Sequence, residues 1–222
     1  MNQKTAIILG ATGLTGSILL NKLLQDDRYA KILLFGRNSV NIENEKITEH
    51  LIDLFELKDH KESFKADEVF CCIGTTAAKT PDKEIYKKID YGIPASAAKL
   101  CKENNIRTFI VISAMGADPN SNIFCNKVKG LMETAVLSQQ IPNTYILRPS
   151  LIGGKREERR IGEYVGKVLM SVLNFLLIGP LKKYRSIHPE RIATAMIWLA
   201  NNKYDSQILS SDVIQHIAKN GS

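Results

Sequence analysis

The chain holds little cysteine: four residues, at positions 71, 72, 101 and 125 of 222. None of them forms the CxxC pair of a zinc site. Cys71 and Cys72 are chain neighbours, unsuited to bridging each other in a strand, so a reducing, cytoplasmic compartment is expected. Four histidines, at 50, 60, 188 and 216, lack ligand spacing, and no metal is expected. No apolar run reaches the roughly 20 residues that cross a bilayer. The most hydrophobic later stretch, VLMSVLNFLLIG at 168–179, carries Ser171 and Asn174. It reads as a buried helix, with an interfacial membrane helix as the alternative, and no stable membrane insertion is expected. The opening MNQKTAIILGATG breaks into Gly and Thr too early for a secretory signal.

Also missing are a helix-turn-helix, a zinc finger and a basic stripe studded with aromatics. The net charge of +7 therefore argues for small anionic partners such as phosphorylated cofactors, and nucleic acid is not expected. There is no internal repeat, low-complexity tract or Pro/Ser-rich linker. With 44% hydrophobic and 24% charged residues, the chain has enough apolar side chain for a sizeable core. One domain over 1–222 is expected, with a cofactor core of about 1–152 and a helical substrate-side elaboration of about 153–222.

What is present is a rhythm. TAIILG (5–10), KILLFG (31–36), EVFCCIG (68–74), TFIVIS (108–113) and TYILRP (144–149) are short, near-continuous apolar runs. Such runs fit strands buried on both faces, as in a parallel sheet; EHLIDL (49–54) is a weaker sixth. Helical spacing fills the gaps at 13–25, at 81–105 with a Pro-Asp start and a Gly-Ile-Pro irregularity, and at 126–140. Beyond about residue 152 come helices at 162–179 and 188–202, the short strand QILSS and a last helix, DVIQHIAK. The β-α-β-α order predicts a Rossmann-like, doubly wound α/β fold with helices on both faces.

The first strand runs into GATGLTG. Three glycines spaced by three residues, between a strand and a helix, stand in the context that a dinucleotide loop requires. Gly10 would allow the tight turn, Gly13 the approach of a pyrophosphate and Gly16 the packing of helix on strand; a plain turn is the alternative. After the second strand comes FGRN. Arg37 stands where NAD-preferring sites often carry a carboxylate, and its guanidinium can grip a 2′-phosphate. NADP(H) is thus expected over NAD(H), unless Arg37 is simply a solvated surface residue. Asp53 and Leu54 could meet the adenine, and CCIGTT leaves Gly74 and Thr75 at the carboxyl edge of the sheet.

Together, GATGLTG, LFGR, CCIGTT, ISAMGAD, VKGLME and LRPSLIGG run in order from residue 7 to residue 154. In combination they resemble the atypical short-chain dehydrogenase/reductases. The nearest likeness is the branch of NAD(P)-binding proteins similar to the Tat-interacting-protein oxidoreductase. The resemblance implies cofactor contacts at Gly10, Thr12, Gly13, Leu14, Arg37, Asp53, Leu54, Gly74 and Thr75. It also implies that the turn Arg148, Pro149, Ser150, Leu151 faces the nicotinamide end. Ser113 matches the catalytic serine that bonds a substrate carbonyl. Lys129 matches the lysine that holds the nicotinamide ribose and lowers the catalytic tyrosine's pKa.

Four residues before Lys129 the family carries that tyrosine; this chain has Cys125. The i, i+4 spacing keeps both residues on one helix face, but a thiol is a shorter and weaker donor than a phenol. Cys125 is either a reactive group near Lys129 or a small packed residue. The expected function is an NADPH-dependent reductase of an unknown small carbonyl compound, its proton coming from water or Cys125. The alternative is an impaired NADPH-binding sensor or scaffold that regulates a protein partner. KREERR (155–160) reads as a solvated loop near the site mouth, with Arg156 or Arg159 as candidate substrate grips, and Tyr164 and Tyr184 could enter the cleft.

Overall fold

The computed structural model describes residues 3–153 and 185–221. Among them, seven strands form one parallel sheet in the order β3-β2-β1-β4-β5-β6-β7. They are β1 (Lys4–Leu9), β2 (Tyr29–Gly36), β3 (Ile47–Leu51), β4 (Glu68–Cys71), β5 (Thr108–Ile112), β6 (Asn143–Arg148) and β7 (Ile208–Ser210). The doubly wound fold is the one expected.

Strand side chains alternate between two cores, as the period of two requires. Ala6, Ile8, Ile32, Leu34, Phe70 and Ile110 face α1 (Leu14–Leu24), α5 (Pro189–Asn201) and α6 (Ser211–Asn220). Ile7, Leu9, Leu33, Phe35, Val69 and Val111 face the opposite layer. That layer holds α2 (Lys83–Lys87), α3 (Ile93–Glu103), α4 (Phe124–Leu137) and a 3₁₀ stretch over Leu54–His60. Burial on both faces is why these strands read as continuous apolar runs.

The 81–105 segment is divided where the sequence suggested an irregularity. Asp82 caps α2 by accepting from the N–H groups of Glu84 and Ile85, and a π-helical turn at Lys88–Gly92 then leads into α3. Pro94 has no N–H to offer the carbonyl of Asp90 four residues back, and the helix widens there. The apolar run 68–74 also splits: β4 stops at Cys71 because its partner β1 stops at Leu9. Cys72 to Thr75 then line the cleft. The expected helix at 162–179 and residues Arg156, Arg159, Tyr164 and Tyr184 lie outside the described residues.

Sheet order fixes where a ligand can go. The chain winds outward from β1 through β2 to β3, returns to β4 beside β1, and then winds the other way. Open α/β sheets bind ligands in the crevice at such a reversal, outside the carboxyl ends of the strands.

Candidate active site at the sheet reversal

A continuous cleft runs over the carboxyl ends of β1, β2, β4 and β5. Its first half is lined by the glycine loop, Arg37, Val40, Asp53, Leu54 and Ile73, its second by Gly74, Thr75, Asp90, Ser113, Cys125 and Lys129. Thr12 and Gly13 border both halves, and Leu14 the second.

The three loop glycines answer to different forces. Gly10 has φ +86°, which L side chains rarely adopt. A Cβ on Gly16 would stand 2.0 Å from the Gly10 carbonyl oxygen, so α1 can sit on the loop only without one. Gly16 accordingly packs beneath the loop and does not line the cleft. Gly13 is exposed in extended geometry, and a Cβ there would meet only Gly10 O, at 3.3 Å. The protein's own packing asks little of position 13; close approach by a ligand backbone or phosphate asks for glycine. Gly13 caps α1 with no side-chain hydrogen bond, and the first turn holds no acidic residue. The helix N-terminus is thus open to an anion.

At the far end of the cleft, Arg37 is exposed directly after β2. A carboxylate that the sequence reading did not place here, Glu49 of β3, lines the same half. Its two oxygens accept from the Val40 N–H and the Ser39 hydroxyl, each at 2.7 Å. Glu49 thereby ties down the loop that follows Arg37. Asp53 accepts from the N–H of Phe55 and starts the 3₁₀ stretch, and Leu54 beside it is buried.

The other half concentrates buried charge. Lys129 on α4 is buried, its Nζ 2.8 Å from Oδ1 of the fully buried Asp90 and 3.3 Å from the carbonyl of Ile112. The second Asp90 oxygen accepts from the N–H of Thr75 at 2.7 Å. The π turn therefore delivers a carboxylate that both orients the lysine and fixes the CCIGTT loop. Ser113, at the end of β5, donates to Glu133 Oε1 at 2.5 Å. Glu133 in turn receives Arg148 through Nε at 2.9 Å and Nη2 at 2.5 Å.

That fork sets where the Arg148–Leu151 turn points. The Arg148 guanidinium faces back to α4, the Pro149 carbonyl accepts from Met115, and Leu151 is exposed outside the cleft lining. The next residue, Ile152, is the one that lines the cleft.

Cys125 is half-buried on the cleft wall, four residues from Lys129. Near it in the lining of the same cavity stands Tyr86 of α2, a residue the sequence reading passed over. The Tyr86 ring packs edge-on to Phe124, centroids 5.5 Å apart. Burial, then the neighbouring Cys125 thiol, pushes the Tyr86 hydroxyl's pKa well above its ordinary value. Burial likewise raises Cys71, to about 11, and Cys72 further still, so neither is a ready thiolate. Tyr86 and Asp90 sit four apart in EIYKKID, and a search for i, i+4 polar pairs on the helix after β4 would have found both.

A parallel sheet that reverses at β1 and β4, with a glycine loop and an uncapped helix at the reversal, defines a dinucleotide-binding α/β protein. The chain belongs to the NAD(P)H-binding family, whose model matches residues 10–147. Among curated relatives, rat Protein HTATIP2 is 30% identical over 171 residues, covering 75% of this chain and 70% of that protein. The mitochondrial Protein FMP52 of Meyerozyma guilliermondii is 32% identical over 199 residues, covering 88% and 84%. Solved structures of the same fold include MoeE5 in complex with UDP-glucose and NAD (TM-score 0.68, 13% identity, 98% and 82% coverage). The UDP-glucose 4-epimerase of Thermotoga maritima matches at TM-score 0.68 and 14% identity, with 97% and 82% coverage. These findings bear out the resemblance carried by the motifs. No helix among the described residues is long and apolar enough to cross a membrane.

Proposed function

We propose that the protein is an NADPH-dependent oxidoreductase that reduces a small carbonyl compound. The observation that carries this reading is Lys129. A buried ammonium, locked to Asp90 beside Ser113, sits in the same cleft as the glycine loop. A structural ion pair has no need to face a cavity of this kind. The bound dihydronicotinamide would supply the hydride.

The chain's own groups do the rest. The α1 N-terminus and Gly13 hold the pyrophosphate, and Lys129, aimed by Asp90, holds the nicotinamide ribose. Arg37 grips a 2′-phosphate, and Glu49, a carboxylate of the same half of the cleft, is spent on the Ser39–Val40 loop. Ser113 is pinned by Glu133 and lines the same half of the cleft as Lys129.

That pinning favours one second reading. With its proton committed to Glu133, Ser113 is a poor donor to a substrate carbonyl, which suits a cofactor-occupancy sensor acting on a protein partner. Calorimetry with both cofactors and a turnover panel of aldehydes, ketones and quinones separate the readings. NADPH should bind more tightly than NADH. Arg37→Ala should lower NADPH affinity alone, by about tenfold to a hundredfold, the value of a charge-assisted pair worth roughly 1.5–3 kcal/mol. Equal affinities in the unmodified protein would overturn the NADP assignment, and tight binding without turnover would favour the sensor. For location we propose the cytoplasm, on the four free thiols; the mitochondrial names of the yeast relatives make cell fractionation the check.

A further inference from the structure

Two pairs of side chains face each other across the substrate half of the cleft. Tyr86 and Asp90 are four residues apart on the α2–π-turn segment, and Cys125 and Lys129 are four apart on α4. Asp90 meets Lys129 in the ion pair described above, and Tyr86 lies near Cys125 in the lining of the same cavity. The two helical segments are thus zipped in register. The phenol of Tyr86 lines the same half of the cleft as Ser113 and Lys129, on a different helix from Cys125.

The rest of the molecule shows how a purely structural tyrosine is held. Tyr29 gives its hydroxyl to Glu68 and accepts from Asn201 at 3.0 Å. The hydroxyl of Tyr145 accepts from the backbone of Tyr204 at 3.1 Å. Tyr86 is equally buried, at 5% exposure, yet among the described residues its hydroxyl has no oxygen or nitrogen partner and lies near only a thiol, one of the weakest hydrogen-bonding groups in proteins. A buried phenol normally finds a strong partner. This one borders a cavity with most of its bonding capacity unspent, beside the lysine and serine of the site.

We infer that Tyr86 is the proton donor of this site, supplying from α2 the phenol that position 125 of α4 lacks. The inference rests on the reductase reading above. In the step, the carbonyl carbon gains a hydride from the dihydronicotinamide. The Tyr86 O–H bond breaks, and its proton joins the carbonyl oxygen. The phenolate left behind recovers a proton from solvent at the half-exposed Cys125 side of the cleft. Transfer in this direction stays favourable because a developing alkoxide is a stronger base even than the buried phenolate. Lys129, neutralised by Asp90, steadies the ribose while Tyr86 keeps its proton until substrate arrives.

The test compares the unmodified protein with Tyr86→Phe, Cys125→Ala and Tyr86→Phe/Cys125→Tyr. Turnover of the carbonyl panel should fall about 10²–10⁴-fold in Tyr86→Phe, the usual size of general-acid help, with NADPH affinity by calorimetry unchanged. Restoring a phenol on the α4 side in the double variant should recover much of the loss, which a merely structural role for Tyr86 would not do. An independent reading needs no cofactor: phenolate absorbance near 295 nm on raising the pH, as the difference from Tyr86→Phe. Tyr86 should resist ionisation well past the ordinary phenol range, and Cys125→Ala should bring its ionisation down. A Tyr86 that ionises like a free phenol, or that ignores Cys125→Ala, overturns the placement. Full turnover in Tyr86→Phe overturns the donor role while leaving the reductase reading intact. A protein that binds NADPH and reduces nothing in the panel overturns the reductase reading, and the donor role with it.

Discussion

Gly13 and Gly16 stand three residues apart and obey different constraints. At Gly16 a single methyl would press on the Gly10 carbonyl at 2.0 Å, and backbone on both sides leaves nothing flexible to yield. Gly16→Ala should cost at least the 1–3 kcal/mol typical of overpacking, lowering the melting temperature by about 2–4 °C per kcal/mol for a domain of this size. At Gly13 the added side chain points over the loop. Gly13→Val should keep the fold and lose the dinucleotide. Denaturation curves and calorimetry on the two variants check both halves; a Gly16→Ala protein of undiminished stability would show that the loop can back away from α1.

Strand β4 connects this chemistry at its carboxyl end to a buried polar cluster at its amino end. Glu68 opens the strand nearly sealed from solvent, paired with Lys4 at 2.9 Å and bonded by the Tyr29 hydroxyl. Burial, the largest influence, holds its carboxyl above the ordinary glutamate value of 4.5, although the Tyr29 and Lys4 bonds pull the other way. The sign follows from linkage. The unfolded chain ionises first as pH rises past 4.5, so the folded state loses ground from there up to the folded pKa. Glu68→Gln removes that loss while keeping an acceptor for Tyr29. Its stability relative to the unmodified protein should therefore improve as pH climbs above about 4.5 and level off once the folded carboxyl has ionised, as measured by urea melts across the range. A relative decline over the same interval would mean that the Lys4 pair outweighs burial.

At the scale of the whole molecule, the cleft joins loops from both halves of the sheet, so a ligand that fills it ties those halves together. Binding to the folded state alone stabilises it by about 2.7 kcal/mol at a hundredfold excess over Kd. For a chain of this length that is a rise of about 5–11 °C in melting temperature. NADPH should produce this shift in the unmodified protein and none in Gly13→Val. A shift of equal size in both would place the ligand elsewhere on the surface.

Much of this was legible in the residues. Strands sealed on both faces must be apolar throughout, so five of the seven stood out as short runs. EHLIDL and QILSS, at the two edges of the sheet, carried weaker signals. Local stereochemistry was legible as well: a glycine loop between strand and helix, a Pro-Asp start for α2, and Ser113 and Lys129 at their motif positions. What the one-dimensional pattern could not carry is which side chains meet across the cleft. Asp90 reaches Lys129 and Tyr86 comes near Cys125 only because a π turn, forced where Pro94 withholds an N–H, brings α2 and α4 into register. Glu133 captures the Ser113 proton only because β6 lays Arg148 beside α4, and Glu49 holds the loop after Arg37 only because β3 pairs with β2. Propensity and periodicity are properties of neighbours in the chain. The partners of a buried charge or a phenol are set by whichever segments close packing brings within about 3 Å, and in this protein that packing assembled the cleft.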